Sequence, residues 1–502
     1  MSETSREGLR RIVLRNSVVE VLGYGLGQAL RLGGNLVTTR LLFPEAFGLM
    51  SIVGIVLFGV TMLSDVGILQ AVIQNRRGDD EDFLNAAWTL QIARGAILCV
   101  FVWLFAWPVS IVYEEPQLLP LLLVAGVQLL IAGWESTSLF TLRRRLQSLR
   151  LVSIELGVQV VTVLASVAAA AAWHSVWALI LGPIVGGLLR LVWSHGIDVG
   201  YRCRIGWDES ARREIMHFGR WIFGSSVASF LSTQSDRLIL GRLLGMSTLG
   251  VYGIALLVSE AIGAAVTRIV TGVLYPVFSR VHHERPEELV EEYYHNRLRL
   301  DATALPALGL LAMHGDVVVG LLWDERYADA GWMLRILCLR VAMACIMLPC
   351  EVSLVATGAS WFGFARSVAT MLAVLIGVPT GFHLGGAVGL VWAVALSELP
   401  AALILWPAAA RRGLFRSSRE LLAIALFAAG WRSAPACDSS PSDPGSSRGA
   451  GRPKALTKEC RPARCASSPG APAGRTTASR TASRPTSPRS GKDSRPLASR
   501  PS

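Results

Sequence analysis

The chain has 502 residues, 52% of them hydrophobic and 17% charged, and a formal net charge of +12. Soluble proteins average about 25% charged residues, so this composition excludes an ordinary cytosolic enzyme. The charge is also uneven: residues 431–502 hold 14 Lys+Arg against 4 Asp+Glu, leaving 34 against 32 in residues 1–430. The basicity belongs to the tail, and no nucleic-acid partner is implied for the body.

A bilayer core about 30 Å thick takes roughly 20 mainly apolar residues per helix. Segments of that kind fall near 16–38, 46–69, 86–112, 117–140, 151–173, 176–195, 214–234, 248–276, 297–323, 331–357, 361–381 and 385–410. A thirteenth starts near Glu420 and stops short at Gly430. The first segment lacks the short apolar core and small-residue cleavage site of a signal peptide. With the N-terminus placed in the cytoplasm, alternate connections divide their arginines 22 inside to 4 outside; the outside set is Arg40, Arg237, Arg242 and Arg326. That asymmetry fits the positive-inside rule. The expected fold is therefore an all-α polytopic membrane bundle with a cytoplasmic N-terminus. Its external connections are too short to house a catalytic domain, and the larger cytoplasmic pieces, 198–213 and 280–296, read as interfacial connectors.

Residues 431–502 are rich in Ser, Pro, Arg, Ala and Gly and poor in large aliphatic side chains, so they are expected to be disordered. Residues 1–430 contain no lysine, and the composition changes abruptly inside an apolar helix. A frameshift that replaced the original C-terminal helices explains the break; a natural lipid-binding basic tail is the alternative.

Arg40-Leu41-Leu42, Gly48 and Ile52 recur as Arg242-Leu243-Leu244, Gly250 and Ile254, at a constant offset of 202. The offset maps the first segment onto the seventh in the same orientation. Two six-helix lobes, 1–200 and 201–410, related by a parallel repeat are expected, with 411–430 beginning a further helix. Such repeats are typical of alternating-access transporters.

The first segment places Tyr24, Gln28, Arg31, Asn35 and Thr38 on one face, at spacings 4, 3, 4 and 3. A mid-membrane arginine costs about 2.5–3.5 kcal/mol on the mildest scale, so the stripe must face protein or a watered cavity. The seventh segment carries Ser225, Ser229, Ser232 and Asp236, with His217, Arg220 and Gly224 beside them. The two are expected to wall one cleft. Arg31, Arg220 and Arg268 are the deep cations, and a guanidinium suits phosphate because its planar fork binds bidentately and stays charged. Asp65 and Glu260 are candidates for titration by a coupling ion, with a plain salt bridge as the alternative for each.

The run Thr39-Arg40-Leu41-Leu42-Phe43-Pro44-Glu45-Ala46-Phe47-Gly48-Leu49 resembles the first-loop signature of Wzx-type polysaccharide flippases. Leu63-Ser64-Asp65-Val66-Gly67 and Asp236-Arg237-Leu238-Ile239-Leu240-Gly241-Arg242-Leu243-Leu244-Gly245 are similar to further markers of that family. The resemblance implies the multidrug/oligosaccharidyl-lipid/polysaccharide exporter fold, two six-helix lobes about a central cavity. It implies movement of an undecaprenyl-pyrophosphate-linked oligosaccharide from the cytoplasmic to the periplasmic leaflet of a bacterial inner membrane. The partners would be that glycolipid, the bilayer and other polysaccharide-assembly membrane proteins. It also implies a basic cavity, carried here by Arg31 and Arg220 with Gln28, Asn35 and Arg268.

No covalent chemistry, cofactor or metal is expected. The sequence has no G-x-x-x-x-G-K-[ST] loop, no cysteine pair has C-x-x-C spacing, and His282-His283-Glu284 reads as a solvated face. The rival functions are a cation-coupled multidrug antiporter of the same fold, a membrane glycosyltransferase or polymerase, and a non-transporting scaffold.

Overall fold

The computed structural model describes residues 3–431 except 65–66, 76, 146, 198–199, 201–202, 207, 360 and 414–415. Those residues belong to one compact unit, Met1–Ala436. Asp65 and the 432–502 tail, including the frameshift reading, lie outside the described residues.

Among the described residues the chain is helical throughout. The order is α1 (Glu3–Leu41), α2 (Pro44–Leu63), α3 (Ile68–Gln74), α4 (Glu81–Tyr113), α5 (Leu118–Trp134), α6 (Ser138–Arg144), α7 (Ser148–Trp173) and α8 (Trp177–Gly196). It continues with α9 (Glu209–Ile269), α10 (Tyr275–Glu284), α11 (Leu289–Met313), α12 (Gly315–Leu322), α13 (Ala330–Ala356), α14 (Trp361–Ala395), α15 (Leu399–Arg411) and α16 (Ser417–Trp431).

Seven stretches are long and apolar enough to cross a membrane, and nine if each bent pair counts as one. Two of the seven, at 59 and 51 residues, are each long enough for two crossings. Both are broken by glycine: Gly245 at φ +83° ends the first half of α9, and Gly386 at φ +57° interrupts α14. Positive φ is nearly free only for glycine, so each break is written into the residue type. The segment 117–140 is in fact two helices bent by 61°, and 297–323 is two helices bent by 73°. The second segment also ends earlier than its apolar run suggests, at Leu63, with α3 following as a separate short helix.

The repeat is visible as reciprocal packing. A Cβ on Gly48 would stand 1.9 Å from the Met246 carbonyl oxygen, and one on Gly250 would stand 2.0 Å from the Pro44 carbonyl oxygen. Position 44 maps to 246 and 48 to 250 under the same offset of 202. Each glycine therefore meets the equivalent of the residue that packs on its partner, as a twofold-related contact requires. The core spreads outward from here through Ile52, Val53, Leu249, Tyr252 and Ala255, all buried.

The thirteenth helix is an integral element. α16 runs to Trp431 and packs on α11, where Arg297, at the boundary expected between the 280–296 connector and the 297–323 segment, lies inside the helix and is 2% exposed. Its fork binds both carboxylate oxygens of Glu420, with Nη2 at 2.6 Å from Oε2, while Nε reaches Asp301 at 3.1 Å and Nη1 reaches the Tyr293 hydroxyl at 2.7 Å. Removing one member of a buried ion pair strands the other. Glu420→Ala is expected to cost about 3–5 kcal/mol, read as a lowered Tm in detergent, whereas Glu292→Ala, an acid on the same helix as Arg297, shifts it little.

Candidate functional site: a cationic cleft below a sealed end

Two clasps close one end of the bundle. In the first, Arg326 from the α12–α13 connection caps the C-terminal end of α1. Its Nη2 donates to the carbonyls of Thr39 (3.0 Å) and Arg40 (3.1 Å), and its Nη1 donates to that of Leu42 (3.2 Å). These are carbonyls that a helix end leaves without internal donors, and the helix dipole favours a cation there. Phe43 lies under the guanidinium at 5.3 Å, and Tyr327 packs edge-on against Phe47. In the second clasp the α4–α5 connection reaches α9: Tyr113 donates to the Leu238 carbonyl (3.0 Å), and Arg242 pairs with Glu114 (2.7 Å). Equivalent connections of the two repeats thus each lock onto the other repeat's signature segment. Arg40, Pro44, Gly48 and Arg242 all belong to this seal.

Asp324 orients Arg326, accepting from its Nε at 3.0 Å. The hydrogen bond from Arg326, followed by its charge, holds the Asp324 carboxyl below the usual carboxylate range. A depressed acid stabilises the folded state above its unfolded pKa and loses that contribution as pH falls through the folded value.

Roughly 25 Å along α1 from the seal, by helix rise, two cavities meet. One, of about 420 Å³, is lined by Tyr24, Arg31, Arg143, Glu155, Gln159 and Arg268 among others. The second, of about 570 Å³, includes Tyr24, Glu260, Arg268, Arg340, Arg366 and Glu398. They share Tyr24 and Arg268, whose guanidinium stands 3.6 Å over the tyrosine ring. That cation–π contact bridges α1 and α9. Immediately after Arg268 the helix widens into a π turn, Val270–Leu274, ahead of Pro276. Proline has no N–H for the α-helical ladder, and such π turns recur at functional sites.

The predicted residues divide clearly. Arg31 and Arg268 share the first cavity, and Glu260 lines the second. Gln28 does not line either; its Nε2 donates to the Tyr24 hydroxyl at 2.9 Å and so fixes the ring beneath Arg268. Asn35 also lies outside the lining, its Oδ1 buried without a protein donor. Asp236 is buried and accepts from the Tyr252 hydroxyl at 2.7 Å. Arg237 lies inside α9, paired with Glu260 at 3.6 Å, and is not in a loop. Glu260 also meets Arg340 at 3.6 Å, and Arg340 meets Asp236 at 3.7 Å. Arg220 lies in α9, its side chain outside the described set.

One expectation is corrected. Among the described residues the wall facing α1 in the first cavity is α7, joined by Arg268 from the second half of α9, while Ser229 of the expected serine face lines a different cavity and the side chains of His217, Arg220 and Ser225 lie outside the described set. Under the 202-residue offset, Tyr24 of α1 is equivalent to Ser226 of α9, and Ser226 borders Met62 of α2 in a separate cavity. Arg143 of the first cavity and Arg340, Arg366 and Glu398 of the second were not among the residues the sequence singled out. Their common signal was cost: charges on successive apolar segments must find each other.

A sealed end, a cleft crossing the repeat boundary and a glycine-broken helix in the second repeat define a multi-pass membrane protein of the two-lobed transporter fold. The chain belongs to the polysaccharide biosynthesis protein family, whose model matches residues 37–331. It is 23% identical over 374 residues to the lipopolysaccharide biosynthesis protein WzxC of Escherichia coli (strain K12), covering 74% of each chain. It is 24% identical over 407 residues to the succinoglycan biosynthesis transport protein ExoT of Rhizobium meliloti (strain 1021), covering 78% of this chain and 80% of that one. Among solved structures it shares the fold of the lipid II flippase MurJ in an inward closed conformation (TM-score 0.63, 11% identity, covering 84% of this chain and 97% of that one).

The seal is testable by alkylation of a cysteine introduced at Leu42, which is 1% exposed. Hydrogen bonds from a charged donor contribute about 1.5–3 kcal/mol, so Arg326→Ala is expected to raise the labelling rate about tenfold to a hundredfold. Measured against a fully exposed reference cysteine at the same pH, which cancels the loss of thiolate in acid, labelling with Arg326 intact is expected to keep a constant ratio from neutral pH down to about pH 4, the ordinary carboxylate value, and to rise only in stronger acid.

Proposed function

We propose that the protein flips a polyprenyl-pyrophosphate-linked oligosaccharide from the cytoplasmic to the periplasmic leaflet for the synthesis of an exopolysaccharide, capsule or O-antigen. The observation that carries this reading is the joint placement of Arg31 and Arg268 in one cavity, walled mainly by α1 and α7 and reached by Arg268 of α9. The Tyr24 contact presents Arg268 there. Two forks in one cleft match a pyrophosphate, because each gives paired donors to an anionic oxygen pair. Family membership supports the polysaccharide context.

The described structure, sealed at the α1–α2 end, is the form that receives the lipid. The cytoplasmic leaflet is the source side because the arginine-rich connections and the N-terminus lie there in the bacterial inner membrane. The headgroup enters the cleft, the sugars lie in its watered interior and the prenyl chain stays in lipid. Rocking of the lobes about the Gly48–Gly250 contact then breaks the two clasps and exposes the cleft to the periplasm. No bond of the substrate is made or broken.

The antiporter reading fits less well. Of the acids lining the two cavities, Glu260 stands between Arg237 and Arg340, Glu155 pairs with Arg143 and Glu398 with Arg366, which leaves a drug cation only Glu20, itself hydrogen-bonded by Ser148. The same pairing argues against Glu260 as a coupling site.

The test is complementation of a flippase-null strain by the full chain and its variants, with binding of polyprenyl pyrophosphate to purified protein. Arg31→Ala and Arg268→Ala are each expected to weaken binding about tenfold to a hundredfold, from 1.5–3 kcal/mol per charged hydrogen bond, and to abolish polymer export at equal protein level. Unchanged binding in both would sink the reading. A reporter fused at the N-terminus is expected to register the cytoplasm.

A further inference from the structure

The separate cavity beside Ser226 has the chemistry of a sugar site. About 430 Å³ in volume, it is lined by Met62 of α2, Ser226 and Ser229 of α9, Glu351 of α13, and Gly363, Phe364 and Ser367 of α14. Glu351 is held by Arg366, whose Nη1 lies 2.5 Å from Oε2. Its other oxygen, Oε1, lies toward Gly363, where a Cβ would approach to 2.9 Å. Ser367 donates its hydroxyl proton to the Gly363 carbonyl at 3.1 Å, which leaves its oxygen lone pairs as acceptors. Phe364 is 52% exposed although it borders these polar groups. A broad apolar ring beside hydroxyls and a carboxylate oxygen matches a pyranose, which has one apolar face and a rim of hydroxyl donors.

This cavity is continuous in chemistry with the cationic cleft. Arg366 lines the 570 Å³ cavity, while its partner Glu351 lines this one, so a single ion pair forms the divide between them. The charge changes sign across that divide. Arg366 also pairs with Glu398 at 3.2 Å, giving two carboxylates to one guanidinium. The Arg31 side offers cations to a pyrophosphate, and the Glu351 side disfavours a second anion.

We infer that the cavity lined by Ser226, Ser229, Glu351, Phe364 and Ser367 is the subsite for the sugar portion of the substrate and selects neutral over acidic residues. The inference rests on the flippase reading above, since a pyrophosphate in the cationic cleft is what directs the glycan across the Arg366–Glu351 pair.

The test uses the purified full chain and three probes: bare polyprenyl pyrophosphate, the same lipid carrying a neutral trisaccharide, and the same lipid carrying a trisaccharide that contains a uronate. Wild type is expected to bind the neutral glycolipid about tenfold more tightly than the bare lipid, equivalent to one or two net hydrogen bonds. The uronate probe is expected to bind no better than the bare lipid. Phe364→Ala and Ser229→Ala alter side chains with no structural partner in the ion-pair network. Each is expected to remove the neutral-glycan advantage while leaving affinity for the bare lipid unchanged. Equal affinity of wild type for all three probes, a preference for the uronate, or variants that weaken glycolipid and bare lipid alike would overturn this inference alone. Failure of wild type to bind even the bare lipid would overturn the flippase reading, and this inference with it.

Discussion

Everything in the bundle hangs on two glycines pressed against two carbonyls. Gly48 and Gly250 let the backbones of α2 and α9 approach more closely than any side chain would permit. In a lipid setting this is the effective way to join helices, because hydrocarbon offers no hydrophobic gain for doing so and packing must supply it. The contact sits near the end closed by Arg326 and Arg242. The helices can then diverge away from it, which leaves room for the cavity that Arg268 of α9 shares with α1 and α7.

The fold was largely legible because membrane rules act on one variable at a time. Apolar length located the seven to nine candidate spans, although the first expected segment, 16–38, is not among them, and the recurrence of Arg-Leu-Leu with a glycine six residues after the second leucine marked the reciprocal contact of Gly48 and Gly250. The bends were not legible. Segment 117–140 reads as one apolar run, yet Glu135 ends α5 and the chain turns before α6. Arg297 was misplaced for a related reason: its neighbours are charged, so the local average resembles a connector, and only the distant Glu420 makes it a helix-interior residue.

The site was half legible. The spacing of Tyr24, Gln28 and Arg31 put them on one face, and Arg268, one of three deep cations in the sequence, meets Tyr24 there. Which wall faced them could not be read from polarity, since the serine face of α9 and the Glu260–Arg268 face are both polar. Gln28 shows the same limit at the level of one residue, because a side chain on the right face can serve the cavity by orienting another.

The buried fork of Arg297 also bears on the order in which the molecule is made. Its main partner, Glu420, lies 123 residues further along the chain, an interval of roughly 6–25 s at bacterial synthesis rates. Until α16 emerges, Arg297 has only Asp301, one turn away on its own helix, to offset its charge. The second repeat therefore cannot reach its final packing while the ribosome is still upstream of α16, however early its other helices have entered the bilayer. The last described helix therefore completes the pocket: chains released before it would hold Arg297 with one carboxylate of the two it binds in the finished fold.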